Sequence, residues 1–111
     1  MPHVVIEYFS EAGIDREAVL LAALETAAGS GVMQRADIKV RLVPSEAILF
    51  GDGRRSFIHM TISMLTGRTP KAKLGLSQAM VAKMRQVCPT IEAISADIRD
   101  MDPEAYKKSL I

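Results

Sequence analysis

Displaced by 56 residues, the chain superposes on itself without a gap: His3 falls on His59, Ile6 on Ile62, Ala23 on Ala79 and Ile38 on Ile94. The identities are few, but the patterns around them come into phase as well, so the match is one of structural units. Val4 to Phe9 is β-branched and aromatic and reads as a strand. Asp15 is placed to cap a helix running to about Ala28, whose Ala18, Leu21, Leu24 and Ala28 keep three- and four-residue spacing, and Gly29 and Gly31 end it. Ile38 to Val43 sets Ile38, Val40 and Leu42 on one face against Lys39, Arg41 and Val43 on the other, a strand with one polar face.

The second unit repeats that order. Phe57 to Leu65 carries Ile58, Met60, Ile62 and Met64 on one face and His59, Thr61 and Ser63 on the other. Thr69 then accepts from an orphan N–H, and Pro70, with no N–H to leave unpaired, opens a helix with the stripe Leu76, Met80, Met84 and Val87. Cys88-Pro89 stops it, and Ile91 to Ile98 is the fourth strand. Between the units, Pro44 to Phe50 is irregular and Gly51-Asp52-Gly53 is a tight reversal, with Arg54 and Arg55 expected at a polar hairpin tip.

A β-α-β unit of this size cannot bury its own apolar face. Two of them make an α+β sandwich, a four-stranded sheet with both helices on one face, within a single domain over residues 1–111 whose pseudo-repeats span about 2–44 and 57–100. The other sheet face is left to be covered by another subunit.

Composition narrows the function. Fourteen Lys and Arg against 13 Asp and Glu leave a charge of +1, and there is no Trp, which argues against a nucleic-acid partner. The longest apolar run, Ala18 to Leu24, is far shorter than the roughly 20 residues a membrane span needs. Pro2-His3-Val4 opens without a basic stretch ahead of an apolar one, so no secretory signal is expected. A single cysteine, Cys88, forms no internal disulfide, and a cytoplasmic location is the default expectation. Cys88 sits between an apolar helix end and a proline and reads as inert packing. His3 and His59 occupy equivalent places, but no further ligand completes a set at a familiar spacing, so no metal is expected. Phosphate-binding glycine loops and nucleotide fingerprints are absent from the sequence.

Pro2 is the residue with most chemical content. Met1 before Pro is a context in which processing exposes the second residue, whose nitrogen is then a secondary amine. In an apolar site desolvation holds such an amine neutral, and a neutral amine is a competent general base. Many chains also begin Met-Pro with no such use. Lys39 and Arg41 point to one strand face, where cations hold a carboxylate or stabilise an enolate; a solvated strand face explains the same spacing. Arg68 lies between a strand end and a helix start, a place from which loops present functional groups as well as plain surface charge.

These residues carry a resemblance. MPHVVIEY at residues 1 to 8, FIHMTISMLTGR at 57 to 68, and the strand and tail from Ile94 through Asp102-Pro103 resemble the tautomerase superfamily, and within it the 5-carboxymethyl-2-hydroxymuconate delta-isomerase family of aromatic-compound catabolism. The first helix matches only in pattern, and a shorter connection than the family's follows it. The resemblance implies a homotrimer with six pseudo-equivalent units around a barrel-like centre and an isomerase that moves a double bond in a small carboxylate substrate, without a cofactor. It implies Pro2 as base, Arg41 and Arg68 as partners of the dienolate and carboxylate, and Phe50 and Phe57 as an apolar wall. Lys39 stands where the family has Arg; it keeps the charge and loses the bidentate fork, so it is carried over as a substrate-binding group only. Two alternatives fit the same order of elements: another superfamily enzyme, such as a phenylpyruvate-type tautomerase or a dehalogenase, or a non-enzymatic ligand-binding module of ferredoxin-like topology.

Overall fold

The computed structural model describes residues 1–111. The element order is β1 (His3–Phe9), α1 (Arg16–Gly29), a 3-10 turn (Arg35–Asp37), β2 (Lys39–Pro44), β3 (Phe57–Leu65), α2 (Pro70–Val87) and β4 (Ala93–Met101). The sheet order is β2-β1-β3-β4. β1 and β2 are parallel, β3 and β4 are parallel, and the two units meet through antiparallel β1 and β3. Each helix thus connects strands that are immediate neighbours. A ferredoxin-like sheet would insert a strand of the other unit into each β-α-β crossover, and that arrangement is not found.

Local chemistry explains the element ends. Asp15 caps α1 by accepting from the Ala18 N–H at 3.1 Å, and Thr69 caps α2 by accepting from Ala72 at the same distance, with Pro70 as the first helical residue. Alternation along β3 buries Ile58, Met60, Ile62 and Met64 completely, beside Val4 and Ile6 of β1. Leu76, Met80 and Met84 of α2 cover this face, as their spacing predicts, with Val87 half-buried at the helix end.

Helix α1 turns differently from expectation. Its buried face is Val19, Ala22, Ala23 and Ala27, whereas Leu24, Ala18 and Ala28 are half-buried and Leu21 is 51% exposed. Small alanines let the helix lie close against sheet and neighbour, and the bulkier leucines are displaced toward the edge, where Leu20, Leu21 and Leu24 line an open apolar hollow with Ile38 and Val40.

Strand boundaries also move; β1 begins one residue earlier, at His3, and β2 ends one later, at Pro44. β2 starts at Lys39, because the Ile38 N–H closes the 3-10 turn on the Arg35 carbonyl at 3.2 Å. β4 starts at Ala93 and runs on to Met101, pairing the full length of β3; Ile91 is buried in the preceding loop. The tight reversal at Gly51–Gly53 forms, with Gly53 at φ +81° and its N–H donating to the Phe50 carbonyl. It is no hairpin tip, however, since β2 and β3 are separated by β1. Arg54 pairs with Asp52 and Arg55 with Glu11 there. No helix is long and apolar enough to cross a membrane.

Candidate active site

The antiparallel pairing of β1 with β3 brings the start of the chain to the end of β3, where His3 stands opposite Ser63. Pro2 is buried at this corner, and its carbonyl accepts the Lys39 N–H at 3.0 Å, which holds it to β2. After β3 the chain reverses through Gly67 at φ +121°, a backbone conformation that favours glycine, and returns Arg68 to the same corner. Gly31, at φ +80°, turns the chain away from α1 so that residues 31–37 close the third side.

The result is a cleft of about 540 Å³ containing Pro2 and Arg68. Ala28, Val32, Met33 and Leu65 form its apolar lining, and Gln34, Arg35 and Asp37 its polar one. Arg68 is held firmly. Its Nε and one terminal nitrogen donate to the Val32 carbonyl at 3.1 and 2.8 Å, and the other terminal nitrogen donates to the Leu65 carbonyl at 2.9 Å. Three of five guanidinium N–H groups are used, and two stay free for an anion.

Lys39 and Arg41 lie on the sheet face away from the helices. The Lys39 ammonium is 3.1 Å from the Met1 sulfur, which places it at the edge of the cleft, because Met1 is part of the lining. Arg41 donates to His3 Nδ1 at 3.3 Å, and His3 Nε2 is 3.0 Å from the Tyr106 hydroxyl. The Nε2–H tautomer satisfies both contacts, accepting from Arg41 and donating to Tyr106. Burial first, and then the charges of Arg41, Lys39 and the chain terminus, hold the His3 pKa below its ordinary value. Tyr106 reaches this point because the Asp102 carbonyl accepts from Ala105 and Tyr106 and turns the tail back. His59, the repeat equivalent of His3, instead contacts Ser95 through Nδ1 at 2.6 Å. Cys88 is buried and burial pushes its thiol up.

Phe50 and Phe57 are not brought to Pro2 within the chain. Phe57 pairs with Phe9 at the far end of β1, and its ring meets Phe50 edge to face, with centroids 6.0 Å apart. A separate hollow there includes Phe9, Leu49, Phe50 and Arg54. Sequence reasoning missed Gln34, Arg35, Asp37 and Tyr106. The polar run Gln34-Arg35-Ala36-Asp37 between an apolar pair and a strand was the available signal for the first three; nothing local marks Tyr106.

The fold is that of known structures at low sequence identity. A 5-carboxymethyl-2-hydroxymuconate isomerase from Deinococcus radiodurans R1 superposes with a TM-score of 0.79 at 19% identity, covering 97% of this chain and 88% of its own. A 5-carboxymethyl-2-hydroxymuconate delta-isomerase gives 0.78 at 16% identity, covering 99% and 88%. A fused 4-OT wild-type protein in a symmetric trimer gives 0.77 at 17% identity, covering 92% and 88%. Among curated proteins, none shows significant sequence similarity to the chain. Strand order, helix layer and these likenesses define a tautomerase-like fold. More particularly, a family model for 5-carboxymethyl-2-hydroxymuconate isomerase matches residues 2–111, and the chain belongs to that family. It is an isomerase.

Proposed function

We propose that the protein shifts a carbon–carbon double bond in an unsaturated 2-hydroxy or 2-oxo di- or tricarboxylate, as a 5-carboxymethyl-2-hydroxymuconate delta-isomerase does, with Pro2 as the base. One observation supports this above others: Pro2 is buried in a cleft that also holds Arg68. Once Met1 is removed, the Pro2 nitrogen is a secondary amine. The positive charges of Arg68, in the same cleft, and of Lys39, whose N–H is held by the Pro2 carbonyl, disfavour its ammonium form, so it is free to accept a proton. It takes that proton from the substrate next to the carbonyl or from the enol; the electron pair spreads into a dienolate, and the proton returns further along the conjugated chain. No net oxidation occurs and no cofactor is needed.

Arg68 binds a carboxylate through its two uncommitted N–H groups. Lys39, next to Pro2 across the sheet, serves the dienolate and its carboxylates, and Arg41, on the open sheet face and outside its own chain's cleft, serves a cleft only through a neighbouring copy. Phe50 and Phe57 reach a proline cleft only from a neighbouring copy, which fits a homotrimer of the kind named for the fused 4-OT structure. Each chain supplies one amino-terminal proline and one Arg68, so a trimer has three sites. The setting that goes with this reading is cytoplasmic catabolism of aromatic compounds, homoprotocatechuate degradation among them.

The test is ultraviolet monitoring of ketonisation with 2-hydroxymuconate-type substrates, comparing protein shown by intact mass to begin at Pro2 with Pro2→Ala and with a form extended before Pro2. Turnover lost in both altered proteins is expected. Full activity in a verified extended protein would overturn the assignment.

A further inference from the structure

The loop closing the proline cleft carries a second guanidinium. Arg35 opens the 3-10 turn and is part of the cleft lining, and its side chain makes neither hydrogen bond nor ion pair within the chain. Its position relative to Arg68 is set by the backbone. Arg68 grips the Val32 carbonyl with two N–H groups, and Val32 lies three residues before Arg35. From there the Asp37 N–H donates to the Gln34 carbonyl at 3.0 Å, the Ile38 N–H donates to the Arg35 carbonyl, and the Lys39 N–H donates to Pro2. The arginine at the end of β3 is thereby bolted to the loop that presents Arg35, with Pro2 tied to the next residues along. Arg35, Arg68 and Asp37 are the charged side chains of the lining, a balance of two positive to one negative that suits an anion.

We propose that Arg35 is a specificity-determining residue of this cleft, holding the second carboxylate of a dicarboxylate whose first carboxylate rests on Arg68. This builds on the reading of the cleft as the active site. Main-chain carbonyls hold the Arg68 guanidinium, and main-chain hydrogen bonds fix the backbone that carries Arg35, so binding a ligand with anionic groups at both ends orders only the exposed Arg35 side chain. A ligand with one carboxylate and an apolar far end uses Arg68 alone and leaves Arg35 in water.

Binding separates this proposal from the isomerase reading, because it requires no turnover. Titration calorimetry with trans,trans-muconate, a six-carbon diene with a carboxylate at each end, and sorbate, the same diene with one carboxylate and a methyl end, reads the second carboxylate directly. The wild-type chain should bind muconate more tightly by about tenfold. Arg35→Gln should abolish that preference while leaving sorbate affinity unchanged, Arg35→Lys should keep part of it, and Lys83→Gln, on α2 and away from the cleft, should keep all of it. Equal affinity of the wild-type chain for both probes, or a muconate preference that survives in Arg35→Gln, would overturn the proposal. A preference that depends on Arg35 in a protein with no ketonisation activity would uphold it and sink the isomerase reading instead.

Discussion

Val5 and Thr61 stand opposite each other on β1 and β3, and they are also the same position of the two repeats. The pseudo-twofold axis of the duplicated chain therefore passes between them. Other pairs exchange across it: His3 with Ser63 becomes His59 with Glu7. The parallel pairs keep one offset as well, since His3 faces Lys39 and His59 faces Ser95, each 36 residues on (39 − 3 and 95 − 59). The symmetry fails where the cleft is built. The equivalent of Pro2 is Ile58, inside the chain, and the equivalent of Arg68 is Ala12, so one chain forms one such cleft.

Arg68 braces the cleft through the Val32 and Leu65 carbonyls, and in the proposed site it also binds substrate. Arg68→Ala should lower kcat/KM for a dicarboxylate substrate by roughly one to two decades. It should also destabilise the fold by about 1 to 3 kcal/mol, because the carbonyls of Val32 and Leu65 lose their donor. Arg54→Ala, whose partner is the exposed Asp52, should cost far less on both counts. Steady-state kinetics and thermal melts of both variants decide; equal effects would remove Arg68 from the site.

A trimer is the expected assembly, because one sheet face is left uncovered. Both helices cover one side, and the other presents His3, Lys39, Arg41 and His59. Sedimentation equilibrium should give three times the chain mass of 12.1 kDa. A stable species of one or two chain masses would contradict it.

Stability should fall on mild acidification partly through His3. Its folded pKa lies below the ordinary value of 6.5, so between the two values the unfolded chain binds more protons than the folded one. Stability is fully present above about pH 6.5 and declines as pH drops through that value, until the folded pKa is passed. In urea unfolding at pH 7.5 and at pH 5.5, His3→Gln should show a smaller loss between the two conditions than the wild type. An unchanged loss would mean that the group does not titrate differently on folding.

The inward face of α1 can be tested by volume. Ala23 is fully buried, so Ala23→Leu overfills the space between helix and sheet and should cost about 1 to 3 kcal/mol. Leu21, half exposed, should tolerate replacement by Ala with a small loss. Denaturant midpoints of the two variants give the ranking, and the reverse order would refute the observed helix orientation.

The sequence by itself determined the elements and their caps. The Asp15 and Thr69-Pro70 starts, the strand Phe57–Leu65 and the buried stripe of α2 depend on contacts within four residues or on simple alternation, and such local chemistry is written in neighbouring residues. The repeat and the Met-Pro start also pointed to the family. Tertiary structure decided the rest. The order of elements permits either adjacent parallel strands or an inserted strand, and only the long-range pairing of β1 with both β2 and β3 selects the first. In α1, alanines and leucines both recur at helical spacing, and the close approach of helix to sheet chose the small ones for the interior. Periodicity carries no information on size at the contact. Pro2, Arg68 and Arg35 lie in three different segments, and they share a cleft because hydrogen bonds from Arg68 to Val32 and from Lys39 to Pro2 tie those segments together. The same holds for Tyr106 on His3, 103 residues apart, a contact that exists only once β4 has paired with β3 and turned the tail back over the sheet.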